Sequence, residues 1–325
     1  MEKSFRTTIN FVLKLFGLTL QKYEEKWERD AFAKLYESRI KHIPLSSKYP
    51  AECIAFSKDR ALQLHALISS CLEKVASPVP IHILYQTSTP SHQKAYEEII
   101  EIFPSNNISF TKQDSDNSFR SNLISLLKSV DSEKIFFLVD DVLFIEDFDI
   151  EDFIKFDTDK FVPTLRMGLN LKKCYTVQKE QPLPGLVPDI IKDKDKIAWE
   201  WDHGVYDWSY PVSLDGHFFS TQEITTMIRL IDFSAPNTLE DQLQKFRRFF
   251  LFRMGVSYRK SKIVNVPCNK VQIENKNLCG DIHQDYLLKQ WKKGFQMDYQ
   301  SLYGFSNISA HQEIAFEFKK RHGTL

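Results

Sequence analysis

The sequence has 325 residues, enough for one large domain or two small ones with a sizeable buried core. Hydrophobic residues make up 42% of it and charged residues 26%, as in an ordinary globular protein. Lys and Arg together number 43, as do Asp and Glu, so the formal net charge is zero. This balance argues against a general nucleic-acid-binding protein, which normally carries a basic excess.

Five cysteines are spread along the chain without a Cys-x-x-Cys pair. They are Cys53, Cys71, Cys174, Cys268 and Cys279. An odd, dispersed set in a chain of this length indicates reduced thiols, and we therefore expect a cytoplasmic protein.

Residues 1–46 have a helical pattern that ends near Pro44, and they are predicted to form a helical appendage before a main domain at 47–325. Within the appendage, the apolar stretch at 10–20 contains Lys14 and has about half the length needed to cross a bilayer. Two interpretations stay open. The stretch is either a helix docked on the protein's own core, or an interfacial helix in peripheral contact with the inner face of an anionic membrane.

From Ala51 onward, short apolar runs alternate with segments whose apolar residues recur every three or four positions. The runs predict strands at 53–56, 81–85, 108–110 and 134–139, and the periodic segments predict helices at 64–75, 91–103 and 118–130. This alternation is typical of an α/β fold with a central, mostly parallel sheet that helices cover on both faces. Ligands of such sheets bind beyond the carboxyl ends of the strands.

The second half of the chain is less regular. Strands are predicted at 161–166 and 212–219, and helices are predicted to start at Ser220 and at Asn237, each with a capping-box pattern. An aromatic-rich run at 199–210 predicts either a surface that stacks against sugars or simply part of the core.

The pair Asp140-Asp141 directly follows the most apolar strand, Lys134 to Val139. Carboxylates at the end of a rigid strand suit Mg²⁺ or Mn²⁺, and such a cation neutralises the charge of a departing diphosphate. The alternative is that both acids only cap the strand in solvent.

Three segments in this order carry a resemblance: Phe56-Ser57-Lys58-Asp59-Arg60, then Arg120-Ser121-Asn122-Leu123, then Leu138-Val139-Asp140-Asp141. Through them residues 51–145 resemble the nucleotide-sugar-binding half of the GT-A fold glycosyltransferases, in particular the broad family 2 type. One departure is that the acidic motif reads Val-Asp-Asp-Val, where many members have a third acid. The resemblance divides the main domain into a nucleotide-sugar-binding half at 47–150 and an acceptor-binding half at 151–325.

The resemblance implies a nucleotide-sugar donor of the UDP, GDP or dTDP type and a divalent cation, Mn²⁺ or Mg²⁺. It implies that Asp141 ligates the metal, and that the donor contacts a set of residues from all three segments. These are Phe56, Ser57, Asp59, Arg60, Arg120, Asn122 and Asp140. Asp59 and Arg60 have an alternative role as a cap or a surface ion pair at a helix start.

Inverting members of the family carry an acid at a helix start that removes the proton of the acceptor hydroxyl. The counterpart here is Asp241 or its neighbour Glu240, although two acids also suit the first turn of a helix electrostatically. A third metal ligand, often a histidine, lies near the end of the domain in some members, and His283 is the candidate. The segment from Ser213 to Phe218 resembles the part that shapes the acceptor side.

The leading hypothesis is therefore an inverting, metal-dependent glycosyltransferase with a carbohydrate or other hydroxyl acceptor, in bacterial polysaccharide or glycan assembly if the resemblance extends that far. A metal-dependent phosphohydrolase or nucleotidyltransferase would use the same Asp140-Asp141 pair without needing Asp241. A carbohydrate-binding protein that keeps the fold without turnover is the third hypothesis.

Overall fold

The computed structural model describes residues 20–40, 49–77, 79–105, 107–114, 116–268, 282–315 and 317–321. The strands are β1 (Ala51–Lys58), β2 (Ile81–Gln86), β3 (Ile108–Lys112), β4 (Lys134–Val139), β5 (Val142–Phe144), β6 (Phe161–Pro163), β7 (Lys173–Cys174), β8 (Lys179–Glu180), β9 (Lys196–Glu200), β10 (Phe218–Ser220), β11 (Met254–Tyr258), β12 (Ile263–Asn265), β13 (Phe295–Met297) and β14 (Phe318–Lys320). The helices are α1 (Leu20–Ile40), α2 (Ala61–Lys74), α3 (Pro90–Ile102), α4 (Phe119–Leu127), α5 (Glu151–Ile154), α6 (Thr221–Arg229), α7 (Pro236–Leu243), α8 (Arg247–Phe250) and α9 (Gln284–Lys292).

The central sheet has the strand order β10-β4-β1-β2-β3, in which only β10 is antiparallel to its neighbour. Alternate residues of β1 pack into different cores: Cys53 and Ala55 face one side of the sheet, and Ile54 and Phe56 face the other. Because both faces are covered, β1 is apolar without interruption from Cys53 to Phe56. The predicted α/β architecture with a mostly parallel sheet flanked by helices is confirmed.

Two predicted strands are shorter than expected. After Pro163 the backbone N–H of Leu165 donates to the carbonyl of Gly216, so the chain leaves β6 three residues early. Gly216 itself adopts φ +72°, a left-handed conformation that interrupts the extended segment predicted at 212–219. Only residues 218–220 pair with β4.

The two predicted helix starts have different outcomes. Ser220 caps α6, and its side chain accepts a hydrogen bond from the backbone N–H of Glu223, as predicted. The helix predicted from Asn237 instead begins at Pro236, whose missing N–H is harmless at a first helical position. Thr238 Oγ1 accepts from the backbone N–H groups of residues 234 and 235, so it holds the preceding turn.

In the less regular half, a second sheet of three strands has the order β6-β11-β9. A cluster of tryptophan rings packs beside it. Trp199 lies on β9 opposite Gly255 of β11, and its ring centroid lies 4.8 Å from those of both Trp201 and Trp208. All three tryptophans are fully buried. The absence of a side chain at position 255 leaves the space that the Trp199 ring occupies.

Helix α1 docks on this half through an ion network. Arg39 and Arg253 both contact Glu223 of α6, and the Arg253–Glu223 pair is almost completely buried. The rest of the predicted appendage, including most of the stretch at 10–20 and the predicted end near Pro44, lies outside the described residues. Among the helices that the structure describes, none has both the length and the apolar character needed to cross a membrane.

Four cysteines lie within the described residues, and all four are buried and free of disulfide bonds: Cys53, Cys71, Cys174 and Cys268. Cys279 lies outside the described residues.

Gly255→Ala should destabilise the protein. An added Cβ would lie 2.3 Å from atoms of the buried Trp199 ring, which has no room to move away. We expect chemical denaturation to show a free energy of unfolding lowered by about 1–3 kcal/mol or more. Gly185→Ala is the control, because nothing lies within 4 Å of its added Cβ. Equal stability of the two variants would contradict this packing.

Candidate active site

A cavity of about 510 Å³ opens at the carboxyl ends of β1, β2 and β4. One wall comes from the strand ends, with Lys58, Arg60 and the acidic pair after β4. The opposite wall comes from the irregular half: the β7–β8 hairpin, the loop around Tyr206 and the start of α7. The cavity therefore lies where polar ligands of parallel sheets bind, between the two predicted halves.

Asp140 joins the ends of β1 and β4. Its Oδ2 accepts hydrogen bonds from Ser57 Oγ at 2.8 Å and from the backbone N–H of Lys58 at 3.2 Å, and its Oδ1 accepts from Arg60 Nη1 at 2.9 Å. Ser57 Oγ also lies 2.5 Å from the hydroxyl oxygen of Tyr96. Because its carboxylate is saturated by these donors, Asp140 acts as a fixed anchor for the strand ends.

Asp141 presents its carboxylate to the cavity. Its Oδ2 lies 3.5 Å from Arg60 Nη1, and its Oδ1 accepts a 3.3 Å hydrogen bond from Asn265 Nδ2. Burial, together with the negative charges of Asp140 and Asp215, raises the pKa of Asp141 to about 6 although Arg60 opposes the shift. The site is therefore rich in negative charge at the end of β4.

Asn265 has a second feature that bears on a cation. Its amide is almost fully buried, and its Oδ1 accepts no hydrogen bond from any described residue. A buried oxygen without a donor is costly, and a divalent cation that prefers oxygen ligands satisfies it as well as a donor would. The residues around Asp141 thus fit a hard divalent cation.

Glu240, on α7, occupies the opposite end of the cavity. Burial and the charge of Asp215 raise its pKa to about 7, while Arg166 and His311 limit the rise. Its carboxylate also hydrogen-bonds Tyr210 and Ser213. A carboxylate that changes protonation near neutral pH suits proton transfer.

Arg166 holds this end of the cavity together. It is almost completely buried, and its guanidinium donates to Asp207 at 2.8 Å and to Ser213 Oγ at 2.8 Å, with Asp215 at 3.5 Å. His311 Nε2 lies 3.4 Å from Asp215 Oδ2. Burial opposes ionisation of this pair, but the mutual attraction outweighs it, so the pKa of His311 is raised and that of Asp215 falls to about 2.

Six of the residues predicted for the site line the cavity, together with the metal candidate Asp141. They are Phe56, Ser57, Arg60, Asp140, Glu240 and Asp241. Asp241 is exposed at the rim, whereas Glu240 is partly buried. Asp59 is buried beside the cavity, where it adopts φ +55° and accepts a 2.7 Å hydrogen bond from the backbone N–H of Ser88.

Four predicted site residues do not line this cavity: Asp59, which lies beside it, and three that are engaged elsewhere. Arg120 donates to the carbonyl of Arg229, the last residue of α6, and to that of Ile231. Asn122 organises the turn before α4 through its contacts with Asp114. His283 is exposed and caps α9. The structure instead brings His311 into the cavity.

The aromatic run at 199–210 divides between the two predicted roles. Trp199, Trp201 and Trp208 belong to the core, whereas Tyr206 and Tyr210 line the cavity. Nearby, Glu200, Asp202 and His203 lie close enough together to hold a metal ion, but two of the three are exposed and none lines the cavity.

Sequence reasoning did not assign roles to Arg166, Asn265 or His311. A charged residue directly after an apolar segment was a usable signal for Arg166. No local pattern marks His311, which reaches the cavity because residues 310–312 pair with Asn265 of β12.

No family model matches the chain. A bifunctional glycosyltransferase, pgtA of Dictyostelium discoideum, is 23% identical over 192 residues, which is 54% of this chain and 24% of that protein. The chain thus spans about a quarter of the length of this curated relative.

Similar solved structures include TarS of S. aureus, with 13% identity, a TM-score of 0.42, and coverage of 66% of this chain and 36% of that one. The 4-diphosphocytidyl-2C-methyl-D-erythritol synthase of Anaerococcus prevotii has 11% identity and a TM-score of 0.37, with coverage of 67% of this chain and 91% of that one. The mannosyltransferase PcManGT of Pyrobaculum calidifontis, solved with GDP-Man and Mn²⁺, has 10% identity and a TM-score of 0.29, with coverage of 43% of this chain and 45% of that one.

Asp141→Asn should stabilise the protein above neutral pH when EDTA keeps metal away. The raised pKa means that the folded state holds this proton more tightly than the unfolded state, so wild-type stability falls as the pH rises from about 4 to about 6. The substitution removes that loss. We expect its melting temperature to exceed that of the wild type at pH 8 and to approach it near pH 4.

Asp140→Asn provides the contrast. It weakens the anchor that Ser57 and Arg60 share, so its melting temperature should lie below the wild-type value at both pH values. If Asp141→Asn melts no higher than the wild type at pH 8, burial of the Asp141 carboxylate does not destabilise the folded protein.

Proposed function

We propose that this protein is a metal-dependent glycosyltransferase of the GT-A type, which transfers a sugar from a nucleotide-sugar donor to a hydroxyl acceptor with inversion. The observation that carries the proposal is one cavity lined by two carboxyl groups: Asp141, buried with its pKa raised to about 6, and Glu240, with its pKa raised to about 7. The similarity to a glycosyltransferase over 54% of the chain supports the same assignment.

The donor occupies the end formed by residues 47–150. Lys58 and Arg60 line the cavity beside the acidic pair, and they attract the diphosphate of the donor. The attraction of Asp140 and Asp141 outweighs burial and raises the pKa of Arg60, so the guanidinium stays charged. Asp140 positions Arg60, and the ring of Phe56 supports the same wall.

Asp141 would hold the metal, with the buried amide oxygen of Asn265 as a further ligand. Mn²⁺ or Mg²⁺ in this place would neutralise the charge that develops on the departing diphosphate. The carboxylate must be ionised to bind a cation, so metal affinity should fall as the pH drops below about 6.

The acceptor occupies the end formed by residues 151–325. Glu240 accepts the proton of the attacking hydroxyl, and Arg166 keeps the pKa of Glu240 from rising further. Tyr206 and Tyr210 offer aromatic faces on which the C–H surface of a sugar ring packs. A direct attack with one base, on the side of the sugar away from the diphosphate, inverts the anomeric carbon.

Calorimetric titration of UDP, GDP, dTDP and their sugars should find one nucleotide that binds tightly only with Mn²⁺ or Mg²⁺. Asp141→Ala should weaken this binding at least about tenfold, because it removes the metal ligand. His283→Ala is the control and should bind as the wild type does, since that side chain is outside the cavity. Nucleotide binding that ignores both metal and Asp141 would end the proposal.

Glu240→Gln should lower kcat by about 10²- to 10⁴-fold, the usual contribution of a general base, with little change in donor affinity. In the wild type, kcat/KM should rise with pH through about 7, where Glu240 loses its proton. Asp241→Asn, at the exposed rim, should cost much less. A large loss in Asp241→Asn with activity kept in Glu240→Gln would assign the base to Asp241.

Product analysis separates the alternatives. Transfer of the sugar to an acceptor with release of the nucleoside diphosphate identifies a glycosyltransferase. Release of free phosphate, or formation of a nucleotide–phosphate bond, would identify the phosphohydrolase or nucleotidyltransferase that the same Asp140-Asp141 pair allows.

A further inference from the structure

Several large apolar side chains are exposed beside the acceptor end of the cavity. Five of them, with 37% to 44% of their surface accessible, form what we call the apolar apron: Val177, Leu183, Leu186, Val205 and Tyr206. Exposed apolar groups that gather in one place on a protein surface mark binding sites more often than scattered ones do.

Hydrogen bonds hold the segments of the apron beside one another. Gln181 exchanges two hydrogen bonds with Asp207, at 3.2 and 3.3 Å, which ties the strand before Leu183 to the loop that carries Val205 and Tyr206. The backbone N–H of Val187 donates to the carbonyl of Ala198 at 2.9 Å, which places the chain after Leu186 along β9.

The apron has little freedom to rearrange. Asp207 is also bound by the buried Arg166, so the same contact that shapes the acceptor end fixes the apron. Pro182 and Pro184 flank Leu183, and Pro188 follows two residues after Leu186, so the backbone is restricted at three positions of this segment. A surface that is already ordered loses little entropy when it binds a ligand.

The apron is continuous with the cavity. Val177 and Tyr206 belong to the apron and also line the cavity, as Tyr210 and Glu240 do. A molecule whose hydroxyl reaches Glu240 can therefore extend out of the cavity onto the apron. A cavity of about 510 Å³ must also hold the donor, so only the reacting end of an acceptor fits inside.

We propose that the acceptor is amphiphilic: a sugar attached to an apolar aglycone such as an alkyl or lipid chain, with the sugar in the cavity and the chain on the apron. This inference rests on the proposed function. The charge around the apron favours an uncharged chain over an anionic membrane surface, because residues 177–206 contain four lysines and six acidic residues.

The test compares methyl and octyl β-glycosides of glucose, galactose, mannose and N-acetylglucosamine, with the octyl compounds kept below their micelle concentrations. Calorimetry measures binding, and a transfer assay with the donor panel measures KM. The apron variant is Leu183→Ser/Leu186→Ser/Val205→Ser, whose three positions do not line the cavity. The matched control, Leu72→Ser/Ile102→Ser/Phe252→Ser, removes three exposed apolar side chains elsewhere.

We expect the wild type and the control to bind the octyl glycoside of at least one sugar about tenfold more tightly than its methyl glycoside, as burial of a few methylene groups provides. The apron variant should lose this advantage. Equal affinity for both glycosides in the wild type, or an advantage that survives in the apron variant, overturns the proposal.

Two other occupants would also overturn it. Cosedimentation of the protein with phosphatidylcholine vesicles, lost only in the apron variant, would assign the apron to a membrane. A dimer in sedimentation equilibrium that only the apron variant abolishes would assign it to a second copy of the chain.

The transfer assay also separates failure of the amphiphilic acceptor from failure of the proposed glycosyltransferase function. Sugar transfer with equal KM for methyl and octyl acceptors leaves the glycosyltransferase function standing and removes the amphiphilic acceptor. Suppose instead that octyl glycosides bind more tightly through the apron but no nucleotide sugar supports transfer. That result overturns the proposed function, and with it the proposal that the alkyl group belongs to an acceptor.

Discussion

The site depends on the contact between Asp140 and the end of β1. One carboxylate accepts hydrogen bonds from Ser57, from the backbone of Lys58 and from Arg60, and so fixes two neighbouring strand ends in one arrangement. The carboxylate of Asp140 is engaged by these three donors, whereas that of Asp141 has fewer partners and faces the cavity. The anchor also holds the Arg60 guanidinium, so a positively charged and a negatively charged side chain lie side by side, as the proposed metal-bound diphosphate would require.

At the other end, environment separates two carboxyl groups that start out chemically alike. Asp215 lies against His311 and Arg166, which outweigh its burial and hold its pKa at about 2. Glu240 is buried near that permanent negative charge, and its pKa rises to about 7. Such pairs assign acid and base roles, since one group stays ionised while the other exchanges a proton near neutral pH.

Cavity residues at the ends of the central strands were predictable from the sequence, whereas Asn265 and His311 were not, for a physical reason. The strands β1 and β4 are buried on both faces, so their apolar runs and the polar groups after them are visible in the local pattern. His311 and Asn265 meet through pairing between segments more than 40 residues apart, which no local pattern records. The position of His283 near the end of the domain suggested a metal ligand, but its ring caps the N-terminus of α9. The buried tryptophans of 199–210 show that composition alone cannot assign such a run, because a dense aromatic run is as typical of a core as of a binding surface.

The two ends of the cavity also differ in the elements that form them. The proposed donor end is built on strands, where a shifted side chain would disturb the whole sheet. The acceptor end is built on loops that one buried arginine ties together: Arg166 holds Asp207, and Asp207 holds Gln181 in the segment that leads to the apron. Leu183 and Leu186 are exposed and take no part in these contacts. In the proposed glycosyltransferase, the polar contacts would fix the reacting groups while exposed loop residues would select the acceptor.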